Sequence, residues 1–156
     1  MENEKIKSVA FTGHRFLQDD INAEKIQTAV ETLIQNGAEL FYNGGAMGFD
    51  LLSAEAVLSL KEKYPFIKLI VCIPCDKQDK YYSDEDKERY KAVLAGADEI
   101  ISVSQTYFRG CMQKRDRFMA DKADVLVAYC KKETGGTAYT VHYFEKKYPE
   151  RTIIFL

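Results

Sequence analysis

Tyr42-Asn43-Gly44-Gly45-Ala46-Met47-Gly48-Phe49-Asp50 follows a short run with strand character and precedes a helical pattern, so its glycines occupy a strand-to-helix turn. Glycine there reaches backbone angles that other residues resist and lets the main chain come close to a ligand. The helix that follows begins with unpaired N–H groups and a partial positive charge, a natural seat for an anion such as phosphate. Such a turn also serves plain packing of strand against helix, and what stands beside it decides between the two.

Outward from this turn the chain alternates strand and helix to both ends. Residues 38–42 form the strand that feeds the turn, and Leu51, Leu52, Ala54, Ala56 and Leu58 mark the helix that leaves it. Upstream, residues 8–12 fit a short buried strand that stops at Gly13-His14-Arg15. From Asn22, the apolar residues Ile26, Ala29, Val30, Leu33 and Ile34 fall on one helical face. Gly37 is placed to end that helix.

Downstream, Pro65 breaks the chain and residues 66–73 read as a strand buried on both faces, closed by Pro74. Residues 75–82 are polar and read as a loop. Ser83-Asp84-Glu85-Asp86 resembles a capping box, its acids also favoured by the helix dipole, and the helix it opens ends near Gly96. Residues 97–104 supply a fourth strand, residues 111–122 a helix, and residues 123–129 a fifth strand. Thr134-Gly135-Gly136-Thr137 is a second glycine turn. Val141, Phe144 and Tyr148 mark a last helix, and residues 151–156 a sixth strand.

This order predicts an α/β fold, a three-layer Rossmann-like sandwich whose mainly parallel sheet of about six strands is covered on both faces. At 156 residues the chain fits one domain, residues 1–156, able to bury roughly two thirds of its unfolded surface. With the first strand central, between the second and the fifth, the loops that carry residues 13–15, 44–50 and 134–137 all follow strands and surround one cleft. The place of the fourth strand stays open.

Composition narrows the partners. Hydrophobic residues make up 46% and charged residues 29% of the chain, with a formal net charge of −2 and a pI near 5.8. No global positive field draws nucleic acid, so nucleic acid is not the expected partner and would need a local patch. The N-terminal run Met1-Glu2-Asn3-Glu4-Lys5-Ile6-Lys7 has no apolar signal region, and no apolar run is long enough to span a bilayer. The expectation is a cytoplasmic protein away from membranes, with an apolar helix face that leaves room for a homodimer. Cys72-Ile-Pro-Cys75 has C-x-x-C spacing, but Cys111, Cys130, His14 and His142 supply no second ligand pair, and Cys72 sits within a strand as a small hydrophobe. No metal is expected.

The turn at residues 44–48 is neither the dinucleotide fingerprint nor a P-loop, since it follows the second strand and lacks the lysine. What remains is a phosphate or ribose-phosphate seat built from main-chain N–H groups. Asp50 stands in the first helical turn, where it either braces the loop or bonds a ribose hydroxyl or a base. A carboxylate would repel phosphate. Arg15 can grip phosphate with its fork, and His14 suits acid–base chemistry or plain hydrogen bonding. In Lys114-Arg115-Asp116-Arg117, Arg115 and Arg117 point about 200° apart on a helix. Arg115 is the better ligand candidate, because Arg117 lies four residues before Asp121 and can pair with it. Gly135, Gly136 and Thr137 open a second helix N-terminus.

Together, Thr12-Gly13-His14-Arg15, residues 44–50, Pro74 with Gln78, Arg115-Asp116-Arg117-Phe118-Met119 and Gly135-Gly136-Thr137 resemble the YpsA-like family of the SLOG superfamily. That superfamily joins Smf/DNA-processing proteins and LONELY GUY proteins on a Rossmann-like fold. The resemblance runs over essentially the whole chain. It implies a domain that binds a nucleotide or nucleotide derivative, a nucleoside phosphate, NAD or ADP-ribose, as a sensor. Gly13, His14, Arg15, Gly44, Gly45, Ala46, Gly48, Asp50, Gln78, Arg115, Gly135, Gly136 and Thr137 are its ligand-binding set. No cofactor is implied beyond a bound nucleotide, and no catalytic residue is assigned.

Two departures matter. The family motif Arg-Asn-Arg has Asp116 at its centre here. The glutamate that LONELY GUY enzymes carry three residues after the threonine of the second glycine motif is Thr140 here, which argues against the alternative of nucleotide N-glycosidic hydrolysis. Binding of single-stranded nucleic acid is the second alternative. It needs a cationic groove with stacking aromatics, for which Tyr81, Tyr82 and Tyr107 are the candidates.

Overall fold

The computed structural model describes residues 6–156, so residues 1–5, which carry most of the N-terminal run read above for a signal region, lie outside it. The elements are β1 (Ser8–Gly13), α1 (Ala23–Gln35), β2 (Leu40–Asn43), α2 (Phe49–Leu60), β3 (Lys68–Ile73), a 3-10 turn (Gln78–Tyr81), α3 (Asp84–Gly96), β4 (Glu99–Ser102), α4 (Cys111–Lys122), β5 (Val125–Tyr129), α5 (Gly136–Lys147) and β6 (Thr152–Phe155). The strands form one sheet in the order β4-β3-β2-β1-β5-β6, parallel throughout. The expected Rossmann-like three-layer fold is therefore what the chain adopts, with β1 between β2 and β5. The strand the sequence left unplaced, β4, pairs with β3 at the sheet edge.

Strand periodicity divides the core. Val9, Phe11, Phe41, Leu69, Val71, Val125 and Val127 face one side, where they pack with Ile26, Val30 and Leu33 of α1, Leu51 and Val57 of α2 and Val93 of α3. The residues between them, Ala10, Ile70, Cys72, Leu126 and Ala128, face the other side with Met119 and Ala120 of α4 and Val141 and Phe144 of α5. Alternation with both faces covered is what a parallel sheet requires.

Local chemistry sets the element ends. Asn22 caps α1 by accepting from Lys25 N–H, and Gly37, at φ 109°, follows its last turn. Ser83 caps α3 by accepting from Asp86 N–H at 3.1 Å. β4 and β5 start two residues later than their apolar runs. Asp98 accepts Leu69 N–H at 2.8 Å, and Asp124 accepts Lys7 and Ser8 N–H at 3.0 and 3.1 Å. Each carboxylate replaces a ladder carbonyl, so the strand proper begins just after it. Residues 75–82, read as a loop, contain the 3-10 turn.

After β1 the chain winds outward through β2 to β4, then crosses to β5 and β6 on the other side. The loops after β1 and β5 therefore diverge and open a crevice at the carboxyl edge of the sheet. No described helix is long and apolar enough to cross a membrane.

The β1 loop and the start of α2 touch closely enough to exclude side chains. A β-carbon at Gly13 would collide with the Phe49 ring, and one at Gly48, at φ +77°, would collide with the Arg15 and His14 carbonyls. Gly48→Ala is expected to cost about 3 kcal/mol or more through strain and overlap, a fall in Tm of about 6–12 °C. Thermal unfolding checks it, and a change under about 2 °C contradicts the packing described.

Candidate functional site

The crevice holds about 540 Å³. Thr12 to Phe16 and Gln18 come to it from the β1 end, Ala46 and Asp50 from the glycine loop and α2, and Met112, Arg115 and Asp116 from α4. Lys131, Lys132 and residues 134–137 come from the β5–α5 connection. Of the residues singled out in the sequence, Gly13, His14, Arg15, Ala46, Asp50, Arg115, Gly135, Gly136 and Thr137 thus meet in one lining. Gly44, Gly45, Gly48 and Gln78 do not line the crevice and stand behind its wall.

The two glycine turns are not equivalent. In the first, the polar groups are engaged internally. Gly45 N–H donates to Asn43 Oδ1 at 2.8 Å, Ala46 N–H to Asp50 Oδ2 at 3.3 Å, and Phe49 N–H to the His14 carbonyl at 3.1 Å. Asn43 Nδ2 reaches the Asp50 carbonyl at 2.9 Å. The Gly44 carbonyl accepts from Arg115 Nη1 at 2.7 Å and Gln78 Nε2 at 3.0 Å, and the Gly45 carbonyl from the Tyr82 hydroxyl at 3.0 Å. With the Phe49 N–H covered by a carbonyl, the start of α2 is much less open to an anion than its glycines suggest. The second turn is bare. A β-carbon at Gly135 or Gly136 would meet nothing within 4 Å, and α5 has no side-chain cap. Its ladder opens with Tyr139 N–H on the Gly135 carbonyl at 2.9 Å, which leaves the N–H groups of Gly136, Thr137 and Ala138 as first-turn donors.

Arg115 is 5% exposed and acts as a clamp. Besides Gly44, its Nη1 reaches the Cys72 carbonyl at 3.2 Å, and its Nε pairs with Asp116 at 2.9 Å. Asp116 thus compensates a buried charge. Arg117 donates to the Tyr139 hydroxyl at 2.8 Å and not to Asp121, contrary to the expected i, i+4 pair. Asp121 is taken by Lys147, Tyr143 and Tyr148 across the α4–α5 surface.

Asp50 is 6% exposed, and among the described residues its Oδ1 is the one buried side-chain oxygen or nitrogen without a hydrogen-bond partner. Burial pushes its carboxyl up to about 7; Arg115 opposes the shift and Asp116 reinforces it. His14 Nε2 accepts Lys131 N–H at 2.7 Å, which places the ring proton on Nδ1. Burial, then Lys132 and Lys131, hold its pKa below 6.5, so it is neutral at pH 7 and its Nε2 lone pair is occupied. The Thr140 hydroxyl bonds back to the Gly136 carbonyl at 2.9 Å. Among the described residues no group of three His, Cys, Asp or Glu is set to hold a metal.

Sequence reasoning missed Phe16, Gln18, Met112, Tyr129, Lys131 and Lys132 in the lining. Three were signalled by position. Lys131-Lys132 directly follows β5, and Phe16, 85% exposed, follows Arg15. Tyr129 carried no signal, because its ring is buried while its hydroxyl donates to Asp20 at 2.8 Å and accepts Gln18 N–H, tying the β1 loop down. Tyr81 and Tyr107 are exposed on the same edge of the sheet, whereas Tyr82 turns inward to Gly45.

Folded Asp50 holds its proton more tightly than the unfolded chain, whose carboxyl titrates near 3.8. Its contribution to stability is full below about pH 4, falls as the pH rises through 7, and is level above that. Asp50→Asn is isosteric and does not ionise. Its stability relative to wild type should rise by on the order of 2–4 kcal/mol between pH 4 and pH 8. Paired thermal melts across that range check this, and parallel curves count against a buried, proton-holding Asp50.

Comparison with known proteins agrees with this architecture. The YpsA profile, described as "YspA SLOG family", matches residues 16–154. UPF0398 protein YpsA of Bacillus subtilis is 31% identical over 155 residues, covering 91% of this chain and 86% of the relative. The SPbeta prophage-derived protein YoqJ, also of Bacillus subtilis, is 33% identical over 138 residues, covering 80% and 81%. Among solved structures, DNA processing protein A of Streptococcus pneumoniae superimposes with TM-score 0.71 at 19% identity, over 97% of this chain and 50% of that one. DNA processing protein A of Helicobacter pylori, whose structure concerns its single-stranded DNA binding mode, gives 0.68 at 22%, over 96% and 66%. This chain spans only half to about two thirds of those proteins, and at such identity they share its fold. By the matched profile and the relatives above 30% identity, the chain belongs to the YpsA family of SLOG proteins.

Proposed function

We propose that the crevice binds a nucleotide or nucleotide derivative, with a phosphate on the N-terminus of α5. The observation that carries this is the uncapped first turn of α5, with open space above Gly135 and Gly136, set in the same lining as a buried carboxylate oxygen that lacks a donor. Free N–H groups and the helix dipole suit a phosphate. Arg15 and Lys132, exposed at the mouth and without an ion-pair partner among the described residues, add attraction. Phe16 offers a face for a base. Arg115, Gln78, Gly13, Gly44, Gly45 and Gly48 serve this site by holding its wall, and Ala46 bridges wall and lining.

Binding without chemistry is the better reading of this geometry. The position of the LONELY GUY glutamate holds Thr140, whose hydroxyl is bonded to Gly136, and the His14 lone pair is occupied. Single-stranded nucleic acid is a second reading, favoured by one observation. Phe16, Tyr81 and Tyr107 stand 73–86% exposed on the loops that follow β1, β3 and β4, with Lys80 over the Tyr81 ring at 5.4 Å and Lys114 over the Phe108 ring at 5.8 Å, a pairing of cations with aromatic faces that suits stacked bases. The Helicobacter pylori protein with this fold is described with single-stranded DNA.

Gly136→Ala separates fold from function. Gly136 has no positive φ and a β-carbon there meets no protein atom, so the variant should keep or raise stability, by up to about 1 kcal/mol. The added methyl stands in the crevice and should weaken nucleotide binding about tenfold or more. Calorimetry with nucleoside phosphates, NAD and ADP-ribose measures it, and no binding by wild type at millimolar ligand sinks the proposal. Oligonucleotide retention that is strong at low salt and lost with salt supports the second reading.

A further inference from the structure

We propose that Asp50 reads the sugar of the ligand, accepting a ribose hydroxyl on Oδ1, so that the crevice takes ribonucleotides in preference to 2′-deoxyribonucleotides. This rests on the nucleotide reading above and names the chemical class of its ligand.

The carboxylate is immobilised on one side only. Oδ2 is tied to Ala46 N–H at 3.3 Å, the Asp50 carbonyl is held by Asn43 Nδ2 at 2.9 Å, and Gly44 leaves no room for a side chain, since a β-carbon there would lie 2.7 Å from Oδ2. Oδ1 has no partner, in a residue that lines the crevice. A buried acceptor left unmatched is costly, so a ligand that supplies a donor gains by its presence.

The surroundings select that donor. A phosphate carries only acceptors and is repelled by the carboxylate. A cationic donor meets Arg115 and Arg15, whose charges already act on Asp50. A neutral hydroxyl meets neither objection. The sugar is also the part of a nucleotide bonded directly to the phosphate, so with the phosphate on α5, it is the sugar that reaches inward to Asp50 while the base lies out toward Phe16. The backbone donors of Gly136, Thr137 and Ala138 do not distinguish ribose from deoxyribose. Asp50 supplies that selectivity.

The test is calorimetry of the full chain at pH 8, where Asp50 is mostly ionised and Oδ1 can only accept, with the four ribonucleoside 5′-mono- and diphosphates, their 2′-deoxy counterparts and inorganic phosphate. The ribo forms should bind about tenfold or more tightly than the matching deoxy forms, as expected for one charge-assisted hydrogen bond. Asp50→Asn should reduce that ratio to about threefold or less while phosphate binding persists. Equal ribo and deoxy affinities in the wild-type protein overturn the sugar assignment and leave the phosphate seat standing, a result that needs no variant to fold. A ribo preference that survives unchanged in Asp50→Asn also overturns it. Absence of binding by every nucleotide and by phosphate overturns both this inference and the reading it rests on.

Discussion

The Gly44 carbonyl accepts two side-chain donors at once, Arg115 from α4 at 2.7 Å and Gln78 from the 3-10 turn at 3.0 Å. Few single atoms tie together so much of this chain. Through them the loop between β2 and α2 is pinned from both faces of the sheet, and its own N–H groups can then be spent on Asn43, Asp50 and His14. The guanidinium is buried, which is tolerable because Asp116 pairs with it and two carbonyls take its remaining reach. The central aspartate of the arginine motif therefore has a structural partner in this chain, one carboxylate against one buried cation.

This arrangement gives the two glycine turns opposite duties. The first is a wall, with glycines at positions where β1, α2, Arg115 and Asp50 come too close for side chains. The second is an opening, with glycines that face empty space at an uncapped helix end. Both sequences look alike as strand–glycine–helix turns. They differ in what packs against them from residues far along the chain, and local sequence does not record that.

Most of the fold was legible because its signals are local or periodic: alternating apolar strands, the Asn22 and Ser83 caps, and the stop at Gly37. The order of β2, β1 and β5 followed from connection rules, whereas β4 did not, because it is a mostly exposed edge strand with little hydrophobic pattern. Strand starts were misjudged where Asp98 and Asp124 cap neighbouring strands. In the site, the residue types were visible but their orientation was not. Arg115, which lines the crevice, and Gln78, which stands behind it, both grip the Gly44 carbonyl. His14, read as either an acid–base group or a plain hydrogen-bonding residue, accepts a backbone N–H. Asp50 was recognised as either a brace or a contact to a ribose or base; its Oδ2 braces the loop through Ala46 N–H, while its buried Oδ1 has no partner.

The central claim is that an anionic nucleotide group seats on α5 and not on α2. An amide-resolved NMR titration of the protein with ADP tests it most directly. The largest shifts should fall on the N–H groups of Gly136, Thr137 and Ala138. Shifts concentrated at residues 44–49, with the first turn of α5 unmoved, would contradict it.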